Sequence, residues 1–152
     1  MTTARTQLRH TWEREVAGEI EDVWRALTDP DEVQQYHEDA AVESSWMPGE
    51  PVRFLDEDGE VVVEGVVVDV DAPHRLVHTF AYSGAAPVDP AAAEDPPSRV
   101  TWTLEPGDEG THVSLLHDGF EAATPTYRAV EDRWEQVLDG LVDLFEGAAE
   151  DR

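Results

Sequence analysis

The sequence contains no cysteine and no lysine. Without thiols, disulfides, thiolate catalysis and zinc–thiolate sites are excluded. Without lysine, all ten basic residues are arginine, and they face thirty-five acidic ones for a net charge of −25. Such a field repels phosphate backbones and anionic lipid head groups, which argues against nucleic-acid and membrane partners. Long apolar runs are missing as well. No stretch approaches the ~18 residues of a membrane span, and the first ten residues lack the apolar core of a signal peptide. The expected location is therefore the cytoplasm.

Two origins fit the acidity: a solvated surface that keeps the chain soluble, or adaptation to a salt-rich cytosol in which screening removes the self-repulsion. Under the second, the melting temperature rises between low and molar salt. A flat profile counts against salt adaptation.

Against these absences stand 152 residues, five tryptophans, four phenylalanines and three tyrosines, with 40% of the chain hydrophobic. That suits a single domain over 1–152, with a core from about 8 to 146, and opposes a disordered chain. Leu8, His10, Trp12, Arg14 and Val16 alternate with polar neighbours and predict a strand, which Gly18 ends. Ile20, Val23, Trp24 and Leu27 fall on one face of a short helix. Thr28-Asp29-Pro30 stops it and starts a second short helix ending near Tyr36 or His37.

A meander follows: a weak strand at Ala41–Trp46, strands at Pro51–Leu55, Glu60–Asp69 and Arg75–Tyr82, and a closing hairpin of Arg99–Leu104 with Thr111–His117 around Pro106–Gly110. Gly65 marks a bulge or a close approach. The segment Ser83–Ser98, rich in alanine and proline, reads as a long loop. Thr124-Pro125 then opens a long helix, with Tyr127, Val130, Trp134, Val137, Leu141 and Phe145 on one stripe from Thr126 to Glu146. The order predicts an α+β domain in which six or seven antiparallel strands wrap around the C-terminal helix. One helix about 10 Å across cannot fill so wide a concavity, so either aromatic packing or a cavity makes up the difference.

Several motifs resemble, in order, those of the START-like (SRPBCC) helix-grip superfamily, which includes polyketide cyclases and the birch-pollen allergen. Within it they are most similar to the family named for the activator of the heat-shock-protein ATPase, homologue-like group. The motifs are Val23-Trp24-Arg25-Ala26-Leu27-Thr28-Asp29-Pro30; Pro48-Gly49 with Phe54; Glu64-Gly65 leading to Asp71-Ala72-Pro73; Pro97 to Thr101; Gly110-Thr111 through His117-Asp118-Gly119-Phe120; and Trp134 with Leu138. Departures are Gly18-Glu19 where the family has alanine–proline, Tyr36-His37 at its aromatic pair, and Arg133 in place of the glycine before the final tryptophan. The resemblance implies a helix-grip fold and a hydrophobic ligand pocket. The superfamily also includes enzymes, and the family takes its name from a co-chaperone.

The residues expected to bind a ligand are Trp24, Trp46, Phe54, Phe80, Tyr82, Trp102, His117, Phe120, Trp134 and Leu138. Inward rings line whatever space remains, and they serve equally as plain core. His117, closing the apolar row Val113 and Leu115, is either an acid–base or ligand anchor or a core histidine bonded internally. His78 and His10 carry the same pair of readings. Three histidines on separate strands lack metal-ligand spacing, so no metal and no cofactor is expected. Glu64 interrupts the row Val62, Val66 and Val68: it is a buried, paired carboxylate if that row faces inward, and a solvated one if Val61, Val63 and Val67 do.

The expected function is binding of a small apolar or amphipathic molecule between sheet and long helix, with Ser83–Ser98 as a lid. The alternatives are a cyclase- or hydrolase-type enzyme using His117 or Glu64, and a module that binds a protein partner through an exposed apolar patch.

Overall fold

Strict alternation along Leu8–Val16 sends every second side chain to one face, and the computed structural model has β1 there. The structure describes residues 8–29, 41–56, 58–83, 90–108, 110–120 and 122–150. After β1 come α1 (Ile20–Thr28), β2 (Ala41–Glu43), β3 (Pro51–Leu55), β4 (Val61–Asp71), β5 (Arg75–Tyr82), a 3-10 turn (Pro90–Glu94), β6 (Ser98–Pro106), β7 (Thr111–Phe120) and α2 (Pro125–Glu150). The strands form one antiparallel sheet in the order β1-β7-β6-β5-β4-β3-β2. The architecture is the helix-grip α+β fold.

The α2 helix, 26 residues long, spans about 39 Å at 1.5 Å per residue. Thr124 caps its first turn by accepting from the Tyr127 N–H at 3.1 Å. Its buried stripe of Val130, Trp134, Val137, Leu138 and Leu141 belongs to one core cluster with Phe80, Val100, Trp102, Leu104, Val113 and Leu115 of the sheet. Near its far end the Phe145 ring covers Gly18 so closely that a Cβ there would stand 2.4 Å from it.

Some boundaries differ from the sequence-based expectation, each for a local reason. The second short helix falls outside the described residues. The strand at Ala41–Trp46 stops at Glu43, and Trp46 then adopts φ 56°, a left-handed backbone that no strand contains. Within Ser83–Ser98 the described part is ordered: after the 3-10 turn, the Asp95 carboxylate accepts from the Thr126 N–H at 2.9 Å and from its hydroxyl at 2.7 Å. That carboxylate tethers the segment to the first turn of α2, where an anion is favoured.

The valine-rich strand turns both faces into play. Leu55 pairs with Val61 but Phe54 pairs with Val63, so β4 carries one extra residue there. The bulge lets Val62 and Val63 both point inward, with Val67 beyond them, while Glu64, Val66 and Val68 are exposed.

Candidate functional site

The site is built where β3, β4 and β5 meet the middle of α2. From the sheet come Phe54, Val62, Val63, Phe80 and Tyr82; from the helix come Val130, Arg133, Trp134 and Val137. Helical spacing places Val130, Arg133, Trp134 and Val137 on one face, three and four residues apart. Alternation on β5 places Phe80 and Tyr82 on the same side, their rings edge to face at 5.0 Å. Together they enclose a half-open recess of about 30 Å3.

That volume limits what the recess holds as it stands. A water needs roughly 10–15 Å3 of such space, whereas pockets for drug-sized molecules run to roughly 300–1,000 Å3. The wide hollow expected between sheet and helix is therefore largely filled, and the filling is aromatic. Trp102 meets Trp134 edge to face at 5.7 Å, and the His117 ring has Phe80 at 4.9 Å and Phe120 at 4.8 Å between centroids. Large side chains on both surfaces take up the space that one slender helix leaves.

His117 is the hub of this packing and is fully buried. The Trp134 indole N–H lies 2.8 Å from Nδ1. An indole nitrogen can only donate, so Nδ1 is the acceptor and the proton of the neutral ring sits on Nε2. Nε2 then donates to Ser98 Oγ at 2.6 Å, and Ser98 passes its own hydrogen to the Phe80 carbonyl oxygen at 3.2 Å. Every polar atom in the chain is satisfied with the ring uncharged. Burial, with smaller contributions from His78 and His10, pushes the imidazole down to about 3. Both nitrogens are occupied and the ring does not border the recess, so His117 is not placed to exchange a proton with a molecule there.

His10 and His78 are also held internally. Strand register puts His10 opposite His117, and His117 and His78 on either side of Val100, in one row across the inner face. His10 Nε2 donates to the Tyr127 carbonyl oxygen at 2.8 Å, and its ring stacks on Tyr127 with centroids 4.1 Å apart. His78 Nδ1 donates to the Thr79 carbonyl oxygen at 2.8 Å, and burial lowers its pKa.

Of the ligand-binding residues expected from the sequence, Phe54, Phe80, Tyr82 and Trp134 line the recess. Trp102, Phe120 and Leu138 are buried in the packed core beside it. Trp24 is half-buried on α1, and Trp46 is held to the end of that helix by its indole N–H, which donates to the Thr28 carbonyl oxygen at 2.8 Å. Glu64 is on the outer face opposite Arg53, away from the recess, because the bulge turns Val62 and Val63 inward in its place.

Arg133 was noted in the sequence only as a departure from the family's glycine before the final tryptophan, and the structure puts it in the wall of the recess. Ser98 gave no signal, since its partner His117 lies nineteen residues along the chain. Tyr82 was expected, but its surroundings were not: burial pushes its phenol up to about 12, with the Arg133 guanidinium acting in the opposite direction.

A family model described as activator of Hsp90 ATPase homolog 1-like protein matches residues 17–146. No curated protein matches the sequence. Among solved structures, protein MLL2253 from Mesorhizobium loti is 26% identical, with a TM-score of 0.76 over 91% of this chain and 97% of that one. ChR145 from Cytophaga hutchinsonii is 25% identical, with a TM-score of 0.70 over 95% and 97%. DynU16, a protein in the dynemicin biosynthetic locus, is 21% identical with a TM-score of 0.69; the match covers 91% of this chain and 47% of that one, and it bears on the fold alone.

Proposed function

Because the chain belongs to the activator of Hsp90 ATPase homolog 1-like family, a helix-grip group, we propose that it binds a small apolar or amphipathic molecule at the recess between β3–β5 and α2. The observation that carries this reading is the composition of the wall: valines and aromatic rings from both layers, opened to solvent on one side, with a single cation among them. The small enclosed volume sets the size of the guest. Its apolar end enters, and the remainder lies across the mouth against Phe54.

Binding through such a wall is hydrophobic and graded. Each methylene buried contributes roughly 0.8 kcal/mol, so affinity for linear alcohols should tighten by about fourfold per carbon until the enclosed space is used. A titration of 1-butanol to 1-hexanol followed by NMR is expected to shift Val62, Val63, Val130 and Val137 together. Val62→Phe, which adds a ring to the wall, should weaken 1-hexanol at least tenfold. Shifts scattered over the surface, or an unchanged affinity in that variant, would remove the recess as the site.

The exposure of Glu64 and the hydrogen bonds on both ring nitrogens of His117 favour binding over the cyclase- or hydrolase-type alternative that names them. Binding of a protein partner draws on a different observation: Met47, Val66 and Val68 are the exposed large hydrophobic residues among those described. Three aliphatic side chains fall short of the few hundred Å2 that mark an interaction patch, and the recess remains the better supported site.

A further inference from the structure

β1 closes one end of the sheet, paired with β7 on one side and, among the described residues, with no strand on the other. Along that open edge alternate residues turn their N–H and C=O groups outward, a template for another extended chain. Beside the edge runs α2, tied to β1 at two points. His10 Nε2 donates to the Tyr127 carbonyl oxygen at 2.8 Å, and Arg14 Nε lies 3.7 Å from the Asp139 carboxylate. Tyr127, Glu131, Glu135 and Asp139 fall four residues apart and form one row along the helix. Between the two ties lies a groove of about 260 Å3, with Arg9 to Trp12 of β1 on one side and Glu131 and Glu135 on the other. Both carboxylates are exposed, and among the described residues no basic side chain pairs with either.

We infer that this groove docks an extended basic segment of a partner protein, added to β1 as a further strand, with two arginines two residues apart on Glu131 and Glu135. The site is separate from the recess and does not depend on it. Backbone groups of the open edge supply the ladder, and the side chains supply the selectivity. Side chains at i and i+2 of a strand leave the same face about 6.8 Å apart, and carboxylates at i and i+4 of a helix stand about 6 Å apart, so one pair matches the other. The Arg14–Asp139 pair shows the same contact at the next place along the row: an arginine carried by a strand, on an acid of this helix. Trp12 lines the groove too, which favours arginine over lysine, since a guanidinium both forks onto a carboxylate and stacks on an indole. Arg9 offsets only one of the two carboxylates, so the groove stays negative, as does the chain around it at −25. A second copy of this chain suits the edge less well, because pairing β1 with β1 brings together two chains of that charge.

The probe is an acetylated, amidated heptapeptide with arginine at its third and fifth residues and threonine or valine elsewhere, titrated by NMR at pH 7 in 0.15 M sodium chloride. The amides of Arg9 to Glu13 should shift together, while Val62 and Val63 of the recess stay in place. Moving the arginines to the third and fourth residues points them to opposite faces and should weaken binding at least fivefold. Methylating the backbone nitrogens of the third to fifth residues removes ladder donors, keeps the charge, and should weaken binding at least tenfold. Glu131→Gln combined with Glu135→Gln, both at exposed positions, should do the same. Equal binding of the two arginine spacings, or of the methylated and plain peptides, would mean diffuse attraction to an acidic surface and overturn the inference. Unshifted β1 amides, or an unchanged affinity in the double variant, would overturn it as well. A concentration-dependent dimer in sedimentation, with those amides shifting as it forms, would give the edge to a second copy and exclude the basic partner.

Discussion

Between pH 7 and pH 5 the folded protein should lose about 2 kcal/mol of stability through His117 alone. In the native state burial holds this ring neutral, with its pKa pushed down to about 3. In the unfolded chain the ring titrates near its ordinary ~6.5. Below that value the unfolded state binds a proton that the native state refuses, so stability is complete above pH 6.5 and is lost progressively as the pH falls towards 3. His78, also lowered by burial, adds to the loss with the same sign. His112 works in the other direction. Hydrogen bonds that the ring donates to the Glu15 and Glu13 carboxylates raise its pKa, so its contribution is full below the unfolded value and fades as pH rises through the folded one. It lies at the surface, where water screens such pairs, and the buried rings dominate.

Urea unfolding at pH 7 and pH 5 measures the loss directly. In His117→Asn, whose side-chain oxygen can still accept from Trp134, the difference between the two pH values should shrink by the same 2 kcal/mol, whatever the variant's absolute stability. A wild-type protein equally stable at both values would show that the ring is protonated within the fold, and would dissolve the Trp134–His117–Ser98 chain as described.

That chain marks how far the sequence could be read. Periodicity placed β1, α1, the closing hairpin and the stripe of α2 to within a few residues, because each is encoded by neighbours three, four or two apart. It also brought Phe80, Tyr82 and Trp134 to one side of their elements. It could not decide between a hollow and a packed interior, because that turns on whether Trp102, Trp134, Phe80 and Phe120 meet across the gap, a matter of register between strands and helix. Nor could it orient Glu64. Alternation alone allows either face of Val61–Asp71, and the choice is made by a bulge opposite Leu55 that leaves no mark in composition. Arg133 showed only as a departure from the family's glycine, because its place in the wall depends on how α2 meets β3, β4 and β5.

The largest single effect should come from Gly65, which the sequence marks as a bulge or a close approach and the structure makes the latter. A Cβ at this position would stand 1.9 Å from the carbonyl oxygen of Thr79 and 2.6 Å from its carbonyl carbon. Both atoms are backbone on β5, so no rotamer change relieves the overlap. Here the strands are joined by an irregular bond as well: the Val66 N–H donates to Thr79 Oγ1 at 2.8 Å. Adding one methyl group must therefore part β4 from β5, between the pairs Glu64 with Ala81 and Val67 with His78. Those two strands supply Val62, Val63, Phe80 and Tyr82 to the recess, so any guest binding goes with them. Gly65→Ala should cost roughly 3 kcal/mol or more, at or beyond the upper end for overpacking, against a total of only about 5–15 kcal/mol for a typical domain. Gly59→Ala is the informative comparison. Its Cβ would meet nothing within 4 Å, and only the backbone angle of +83° opposes it, a strain of roughly 1–2 kcal/mol. Urea midpoints of the two variants should separate clearly, with Gly65→Ala the lower or unfolded outright. Equal midpoints would mean that β4 and β5 do not approach at Thr79 as closely as the structure has them, and the wall of the recess would have to be redrawn.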